Sequence, residues 1–304
     1  MRIVGMLALA ACSSQSALRT DAAVDDDAAM IDAAQIDAPE GGFSWTMAGA
    51  LVLWSEPLTA SAAELRANHF SYVGQYAMNG CANNQTPYSC AANGCNYPGN
   101  PLSGEIAPSY AQLASWISMY QQQGLYAGVW GVTYNAPEAE AHCMAEVANT
   151  LRNAHGVTLD FFVVDAEKSY ETYKADGYTK RFVDTFDATI QFDVAKAEAP
   201  ECHIDIDFPY WTSHGFAIQS QAYWNAYGLN PRYCLDWVAA YGVPKSMNQV
   251  MLDGWTSGPH PFSAYATDIA SFGGVGFSIW RTLAAGTWAQ WKPLIESDHI
   301  AEWE

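Results

Sequence analysis

Eight short apolar segments separated by helix-patterned stretches, a length after the N-terminal region suited to eight such units, and polar or aromatic residues at the segment ends together predict a closed (β/α)8 barrel, the TIM-barrel class, over residues 43–304. The expected strands are GALVLWS (49–55), SYVGQYAM (71–78), LYAGVWGV (125–132), DFFVVDAE (160–167), CHIDIDF (202–208), IQSQAYWN (218–225), NQVMLDGW (248–255) and GVGFSIW (274–280). Helix signals fall between them. Ser61 precedes AAELRANHF with Glu64 at capping-box spacing, and Pro108 and Gly124 bracket a long amphipathic run. Pro137 opens a third helix, and Pro231 and Gly242 bracket another. The fifth unit is the least regular: 203–218 shows no clear helix, and ATIQFDV (188–194) competes as a strand. An open, doubly wound sheet is the alternative architecture.

The N-terminal region has a different character. Met1-Arg2 precedes an apolar run from Ile3 to Ala11 that is too short to span a bilayer and reads as a secretory signal, residues 1–11. Its end, Leu9-Ala10-Ala11-Cys12, resembles the lipobox of bacterial lipoproteins, which implies lipidation of Cys12 and a membrane anchor. Ser13, where an aspartate would direct retention in the inner membrane, implies by the same resemblance an outer-membrane or cell-surface location in a Gram-negative bacterium. Residues 12–42 are Ser, Ala, Asp and Gln with few large apolar side chains, and DAA recurs at Asp21 and Asp32. Such a segment buries too little surface to offset its ordering entropy and reads as an acidic, disordered tether.

The formal net charge is −19, and the barrel region stays acidic without the tether. Acidic surfaces disfavour nucleic acid and anionic lipid as partners. No later stretch is long and apolar enough for a transmembrane helix. Beyond Cys12 there are six cysteines: Cys81, Cys90, Cys95, Cys143, Cys202 and Cys234. In an exported chain they predict up to three disulfides, with the pairing open among about 15 possibilities. The loop holding Cys81, Cys90 and Cys95 is rich in Asn, Gly and Pro and needs such staples.

Barrel active sites lie at the C-terminal strand ends. Those ends carry Trp54 and Glu56, Tyr76 and Asn79, Trp130, Asp165 and Glu167, Asp205 and Asp207, Tyr223 and Asn225, Asp253 and Trp255, and Trp280. Six of the twelve tryptophans (54, 130, 211, 224, 255 and 280) fall at or just after strand ends. Flat indole faces suit the C–H faces of sugars, and carboxylates bind their hydroxyls. Asp165 and Glu167 are two residues apart on one strand, so they share a face. Two close carboxylates cannot both ionise freely, so one is expected to hold its proton near neutrality. A protonated acid beside an ionised one is the equipment for glycosidic cleavage.

FFVVDAE resembles the fourth-strand D-x-E of lysozyme-type muramidase barrels and the end of the D-x-x-D-x-D-x-E motif of chitinase-like barrels. Asp160, Asp165 and Glu167 match the first, third and last acids of the longer motif, and Val163 replaces the middle one. That aspartate helps polarise the N-acetyl group in chitinases, so its loss argues against chitinase activity proper. Tyr223 resembles the chitinase sixth-strand tyrosine, and Trp280 the tryptophan that ends their last strand. The muramidase pattern fits less well, since the first strand ends Trp54-Ser55-Glu56 without its aspartate.

The expected function is a lipid-anchored glycoside hydrolase acting on peptidoglycan or another polysaccharide. Glu167 is the expected general acid, Asp165 its tuning partner, and Asp253 or Asp207 a second carboxylate. Trp54, Glu56, Tyr76, Trp130, Asp207, Tyr223, Asn225, Trp255 and Trp280 are the expected sugar-binding residues. No cofactor or resident metal is expected, and the chain is expected to be a monomer. A non-catalytic glycan-binding barrel is the second reading, favoured by Val163. A metal-dependent hydrolase is the third, because His203, Asp205 and Asp207 alternate along the expected fifth strand. Against it, a two-residue step rises roughly 6–7 Å, which sets the ends of that trio too far apart for one ion. No GxSxG serine elbow and no phosphate-cradling loop is present.

Overall fold

The computed structural model describes residues 42–52, 62–100, 108–166, 170, 177–202, 204–253, 262–272 and 276–280. Within them eight parallel strands close into a barrel: β1 (Ala48–Val52), β2 (Tyr72–Asn79), β3 (Tyr126–Thr133), β4 (Phe161–Ala166), β5 (Ala195–Glu198), β6 (Phe216–Ala222), β7 (Asn248–Asp253) and β8 (Phe277–Trp280). Each strand pairs with its neighbour in sequence, and β8 pairs with β1. The expected barrel is therefore the observed fold, and the open sheet is excluded.

Helices alternate with these strands: α1 (Ala62–Ala67), α2 (Tyr110–Gln122), α3 (Pro137–His155), α4 (Tyr178–Thr189), α5 (Phe208–Ser213), α6 (Trp224–Tyr227), α7 (Pro231–Ala240) and α8 (Phe262–Phe272). Their ends follow from local chemistry. Ser109 caps α2 through the Gln112 N–H, and the Gln112 side chain returns the bond to the Ser109 N–H, a complete capping box one residue beyond Pro108. Pro137 sits at the start of α3, and Gly156 ends it in the left-handed conformation. Asn230 caps α7, whose first residue is Pro231. The expected cap of α1, Ser61, lies outside the described residues.

The fifth unit requires correction. The strand is Ala195–Glu198, not 202–208, and a helix, α5, occupies 208–213 where none was expected. Asp207 is the N-cap of α5, its carboxylate accepting the Tyr210 N–H at 3.2 Å. Asp205 accepts from the Tyr241 hydroxyl at 2.9 Å. The alternating apolar and acidic pattern there reflects a helix cap and a surface bond, not a pleat. β5 escaped notice because Ala195, Ala197 and Ala199, its barrel-facing residues, carry no β-branched or aromatic signal. Small side chains are required there because large rings from other strands fill the interior.

That filling is an interlock of rings and glycines. A Cβ on Gly49 would lie 1.9 Å from the Tyr72 ring. One on Gly128 would meet the Phe161 carbonyl at 2.2 Å, and one on Gly74 would meet Leu51 at 2.4 Å. Tyr72 and Phe161 pack edge to face, centroids 5.1 Å apart, and Phe43 stacks on Phe161 at 4.9 Å to close the floor. Above Tyr72 a buried polar tier links Gln219 to Gln249 at 2.7 Å, and the Tyr72 hydroxyl donates to the Phe277 carbonyl at 3.2 Å. On the other face of the wall, Val73, Val129, Phe162, Val164, Ile218 and Val250 bury against the helical layer. Burial on both faces is why these strands read as nearly continuous apolar runs.

All six barrel cysteines pair: Cys81–Cys95, Cys90–Cys143 and Cys202–Cys234. The first closes the loop after β2, the second ties that loop to α3, and the third ties the segment after β5 to α7. Each staple therefore braces a connection that leaves the C-terminal end of a strand, where loops have least core of their own.

Gly49→Ala and Gly128→Ala are each expected to destabilise the barrel by about 1–3 kcal/mol, because neither ring nor carbonyl can retreat in a filled interior. Urea unfolding of the two variants measures this, and unchanged midpoints would show that the interior has room the interlock denies.

Candidate active site

Strand parity decides what faces the mouth. Tyr76, Trp130, Val163, Asp165, Gln221, Tyr223, Met251 and Trp280 belong to the inner face or its upper rim. Asp165 lies at the C-terminal end of β4 and is buried to 9% exposure. Its Oδ1 accepts from Gln221 Nε2 at 2.6 Å, and the same nitrogen donates to the Ala199 carbonyl at 2.7 Å. Both partners are acceptors, so the amide orientation of Gln221 is fixed, and with it the plane of the Asp165 carboxylate. A charge-assisted bond of this length holds the acid in one position beside the mouth.

Two aromatic pairs flank it. Tyr76 and Trp130 are directly opposite on β2 and β3, with centroids 4.3 Å apart. Tyr223 and Trp280 stack at 5.3 Å with an interplanar angle of 21°. The Tyr223 hydroxyl donates to Met251 Sδ at 3.1 Å, which fixes the ring against β7. Four of the expected binding residues, Tyr76, Trp130, Tyr223 and Trp280, thus converge with Asp165 at one end of the barrel.

The remaining expectations divide. Glu167, Trp54, Glu56, Trp255, His203 and Cys12 lie outside the described residues. Asp253 closes β7 opposite Trp280, in the same parity as Met251, with its side chain outside the description. Asn225 falls within α6, not at a strand end, and its side chain is likewise not described. Asp207 is engaged as a helix cap rather than standing at a strand end. Trp211 is fully buried between Phe182 and Phe216, and Trp224 packs on Tyr265, so these two tryptophans belong to the outer layer. Asp160 sits at the N-terminal end of β4, accepting the Ala127 N–H at 2.7 Å, which makes it a floor clamp. With the fifth strand relocated, Asp205 and Asp207 lie beyond it and share no strand face, and no group of three potential ligands occurs among the described residues.

Sequence reasoning missed three residues that shape this end. Gln221 is one, and only a search for a partner to Asp165 on a neighbouring strand would have found it. Glu198 is the second. It is fully buried on the outer face of β5, paired in register with Val164, and neither carboxylate oxygen has a hydrogen-bond partner. Burial, aided by the charge of Asp165, holds its pKa well above the ordinary carboxylate range, so it is a neutral acid behind the wall. Glu140 is the third. From the first turn of α3 its Oε1 accepts the Tyr134 N–H at 3.0 Å and the Cys81 N–H at 3.3 Å, clipping the loops after β3 and β2 together. Burial raises its pKa to about 7 against the pull of these backbone donors.

Two concavities bear on function. A groove of about 1060 Å³ lies at the floor, lined by Phe43, Asp160, Asp187, Phe192, Asp193 and Lys196 among others. A smaller pocket of about 250 Å³ lies at the mouth, lined by Glu201, Gln221, Tyr223, Tyr227 and Leu229. The floor groove is larger, but two of its acids are committed: Asp187 to Lys196 at 2.6 Å, and Asp160 to the backbone. The floor also serves stability in this architecture, whereas the C-terminal face carries chemistry. The mouth pocket shares Gln221 with Asp165 and is the candidate site.

No family model and no curated protein matches the chain. Solved structures do. A fungal endo-β-N-acetylglucosaminidase from glycosyl hydrolase family 18 matches with a TM-score of 0.51 at 14% identity, over 83% of this chain and 97% of its own. A GH113 β-1,4-mannanase matches at 0.50 and 13% identity, over 79% and 89%. The spore cortex-lytic enzyme SleL of Bacillus cereus matches at 0.50 and 10% identity, over 82% and 74%. At these identities the likeness is one of fold. The fold shared with them is the (β/α)8 barrel.

The Glu140 clip predicts a pH dependence. An acid whose pKa rises from 4.5 to about 7 on folding binds more protons folded than unfolded between those values. Its contribution to stability is therefore full below the lower value and is lost as pH rises through the upper. Thermal unfolding across that range is expected to show a steeper decline for the wild type than for Glu140→Gln, which keeps the acceptor without the titration. Parallel curves would contradict the assignment.

Proposed function

We propose that the protein cleaves glycosidic bonds at the C-terminal mouth of its barrel, with Glu167 as general acid and Asp165 fixing its protonation and orientation. The observation that carries this reading is Asp165 itself: a carboxylate on the inner face of β4, locked by Gln221, with a tilted aromatic pair on one side and a stacked one on the other. Glu167 follows it by two residues, so continuation of the strand would set its carboxyl on the same face, one step nearer solvent. There it would protonate the leaving oxygen while Asp165, ionised, disfavours a second negative charge beside it and so keeps the acid loaded. Tyr223 and Trp280 offer the flat apolar surface on which a sugar ring stacks. Fold neighbours that act on mannan, on N-acetylglucosamine-containing glycans and on spore cortex support a polysaccharide or peptidoglycan substrate. A fold alone does not assign an activity, so the weight rests on the site.

Export and lipid anchoring at Cys12 belong to the same proposal. The three disulfides agree with an oxidising compartment, and the lipid on Cys12 would tie the barrel to the membrane through the acidic tether.

One observation favours a non-catalytic glycan-binding barrel. Val163, fully buried in the inner cluster, stands where chitinase-like barrels place a carboxylate, so the column of acids along β4 is shortened.

Reducing-end release from peptidoglycan, chitin, mannan and soluble polysaccharides distinguishes the two. The wild type is expected to release ends from at least one, Glu167→Gln to lose on the order of 10²–10⁴-fold in rate as a missing general acid requires, and Asp165→Asn to fall with it. Wild-type rates in Glu167→Gln would overturn the assignment. Binding without release by any of the three proteins would establish the second reading.

A further inference from the structure

Each aromatic pair at the mouth is followed along the chain by one further ring. Tyr134 comes four residues after Trp130, and Tyr227 comes four residues after Tyr223. Four large apolar side chains are exposed among the described residues: Met119, Tyr134, Tyr227 and Tyr233. Met119 and Tyr233 belong to the outer helices α2 and α7. Tyr134 and Tyr227 instead rise from connections at the C-terminal end of the barrel, at 40% and 72% exposure. A lone exposed ring is ordinary. Two rings that are exposed and yet held in place, both at the mouth, are not.

Their contacts fix them while leaving ring surface to solvent. The Tyr134 hydroxyl donates to Asn79 Oδ1 at 2.9 Å, and Asn79 pairs in register with Val132 of the inner cluster, so the ring stands at the β2–β3 rim. Its N–H is held by Glu140 at 3.0 Å. The ring lies so near Gly80, at φ 59°, that a Cβ there would meet it at 2.5 Å. Tyr227 ends α6, a single turn that starts from Tyr223 and is closed by Gly228 at φ 74°. Within that turn the Tyr227 N–H donates to the Tyr223 carbonyl at 2.8 Å, and Trp224 anchors it on Tyr265 at 5.3 Å. The Tyr227 ring, 6.2 Å from that of Tyr223, carries the Trp280–Tyr223 stack out to the rim of the mouth pocket. Rings fixed in advance offer stacking surface at little further cost in conformational entropy.

Sheet order places the acid between them. Tyr134 follows β3, Tyr227 follows β6, and Asp165 ends β4 on the wall that joins the two. Three inter-strand spacings of about 4.8 Å make roughly 14 Å along that wall, more than one sugar ring spans. A ligand that touches both tyrosines is therefore a chain, and it passes the Asp165 carboxylate between its ends.

We propose that Tyr134 and Tyr227 are the outer rings of a glycan track across the mouth, so that the protein grips a polysaccharide by an internal stretch, with units on both sides of Asp165. The inference rests on the glycan reading above and adds to it the length of chain held and the place of the cut.

The test is calorimetric titration of full-length Glu167→Gln protein, which spares the ligand, with β-1,4-linked mannose and N-acetylglucosamine oligomers from dimer to hexamer. In at least one series the affinity is expected to rise in two steps as the chain reaches first one ring and then the other. Each step is expected to be roughly three- to tenfold, the range for a single aromatic contact. Adding Tyr227→Ala is expected to abolish one step and Tyr134→Ala the other, with dimer binding unchanged, whereas Tyr227→Phe keeps its step because the ring remains. Tyr227 is exposed enough to be truncated without opening the core, so it carries the test even if Tyr134→Ala loosens the loop after β2. Wild-type protein given the hexamer is expected to yield dimers to tetramers. Equal affinities from dimer to hexamer, length dependence that survives both Ala variants, or release of single units from the hexamer would overturn the inference and leave the glycan reading standing. Binding of no oligomer from either series would bring down both.

Discussion

The constraint on which everything else depends is the filling of the barrel by rings seated over glycines. Eight strands enclose a space that only large side chains can occupy without voids, and Tyr72, Tyr126 and Phe161 from three adjacent strands provide them. Rings of that size fit because Gly49, Gly74 and Gly128 project nothing inward and β5 contributes only alanines. Burying each ring contributes about 1.5–3 kcal/mol, and the interlock removes any freedom of one strand to slide past the next. Phe43 and Trp45 close the space from below.

A wall held this firmly turns sequence parity into chemistry. Asp165 and Glu198 are close enough in the sheet for the charge of one to weigh on the other, yet they project to opposite faces. The inner acid meets Gln221 and the mouth. The outer one meets apolar packing, finds no hydrogen-bond partner and stays protonated. Had the β5 register slipped by one residue, both would have entered the mouth as a repelling pair. The mouth keeps a single oriented carboxylate from β4 among the described side chains, and its neighbours Tyr223 and Trp280 are fixed by contacts to β7 and to each other. The disulfides and the Glu140 clip hold the loops above, where the interlock no longer reaches.

Much of this was legible in the sequence. Seven of the eight strands stand out as apolar runs, because burial on both faces demands it, and the helix ends at Pro137, Pro231 and Gly242 announce themselves by backbone chemistry. The D-A-E segment marks the mouth because two acids at the end of an apolar strand have no packing role. β5 was illegible for the opposite reason: its function is to be small, and alanine carries no strand signal. The acidic alternation at 205–207 then imitated a strand, though Asp207 is spaced for a helix cap. Gln221 was equally hidden, since its role arises from a partner on another strand, Asp165. Nothing local separates a glutamine that locks a carboxylate from one that faces solvent.

The central claim is that ligands enter at the Asp165 mouth and not at the larger floor groove. Met251, which accepts the Tyr223 hydroxyl, reports on the mouth, and Met47, packed beside the floor cluster, reports on the other end. The most direct measurement is a titration of protein labelled with ¹³C-methyl methionine by glycan tetramers, following both methyl resonances. The account predicts that the Met251 signal moves in a saturable way while Met47 stays fixed. Movement of Met47 alone would place the ligand at the floor and contradict the site described above.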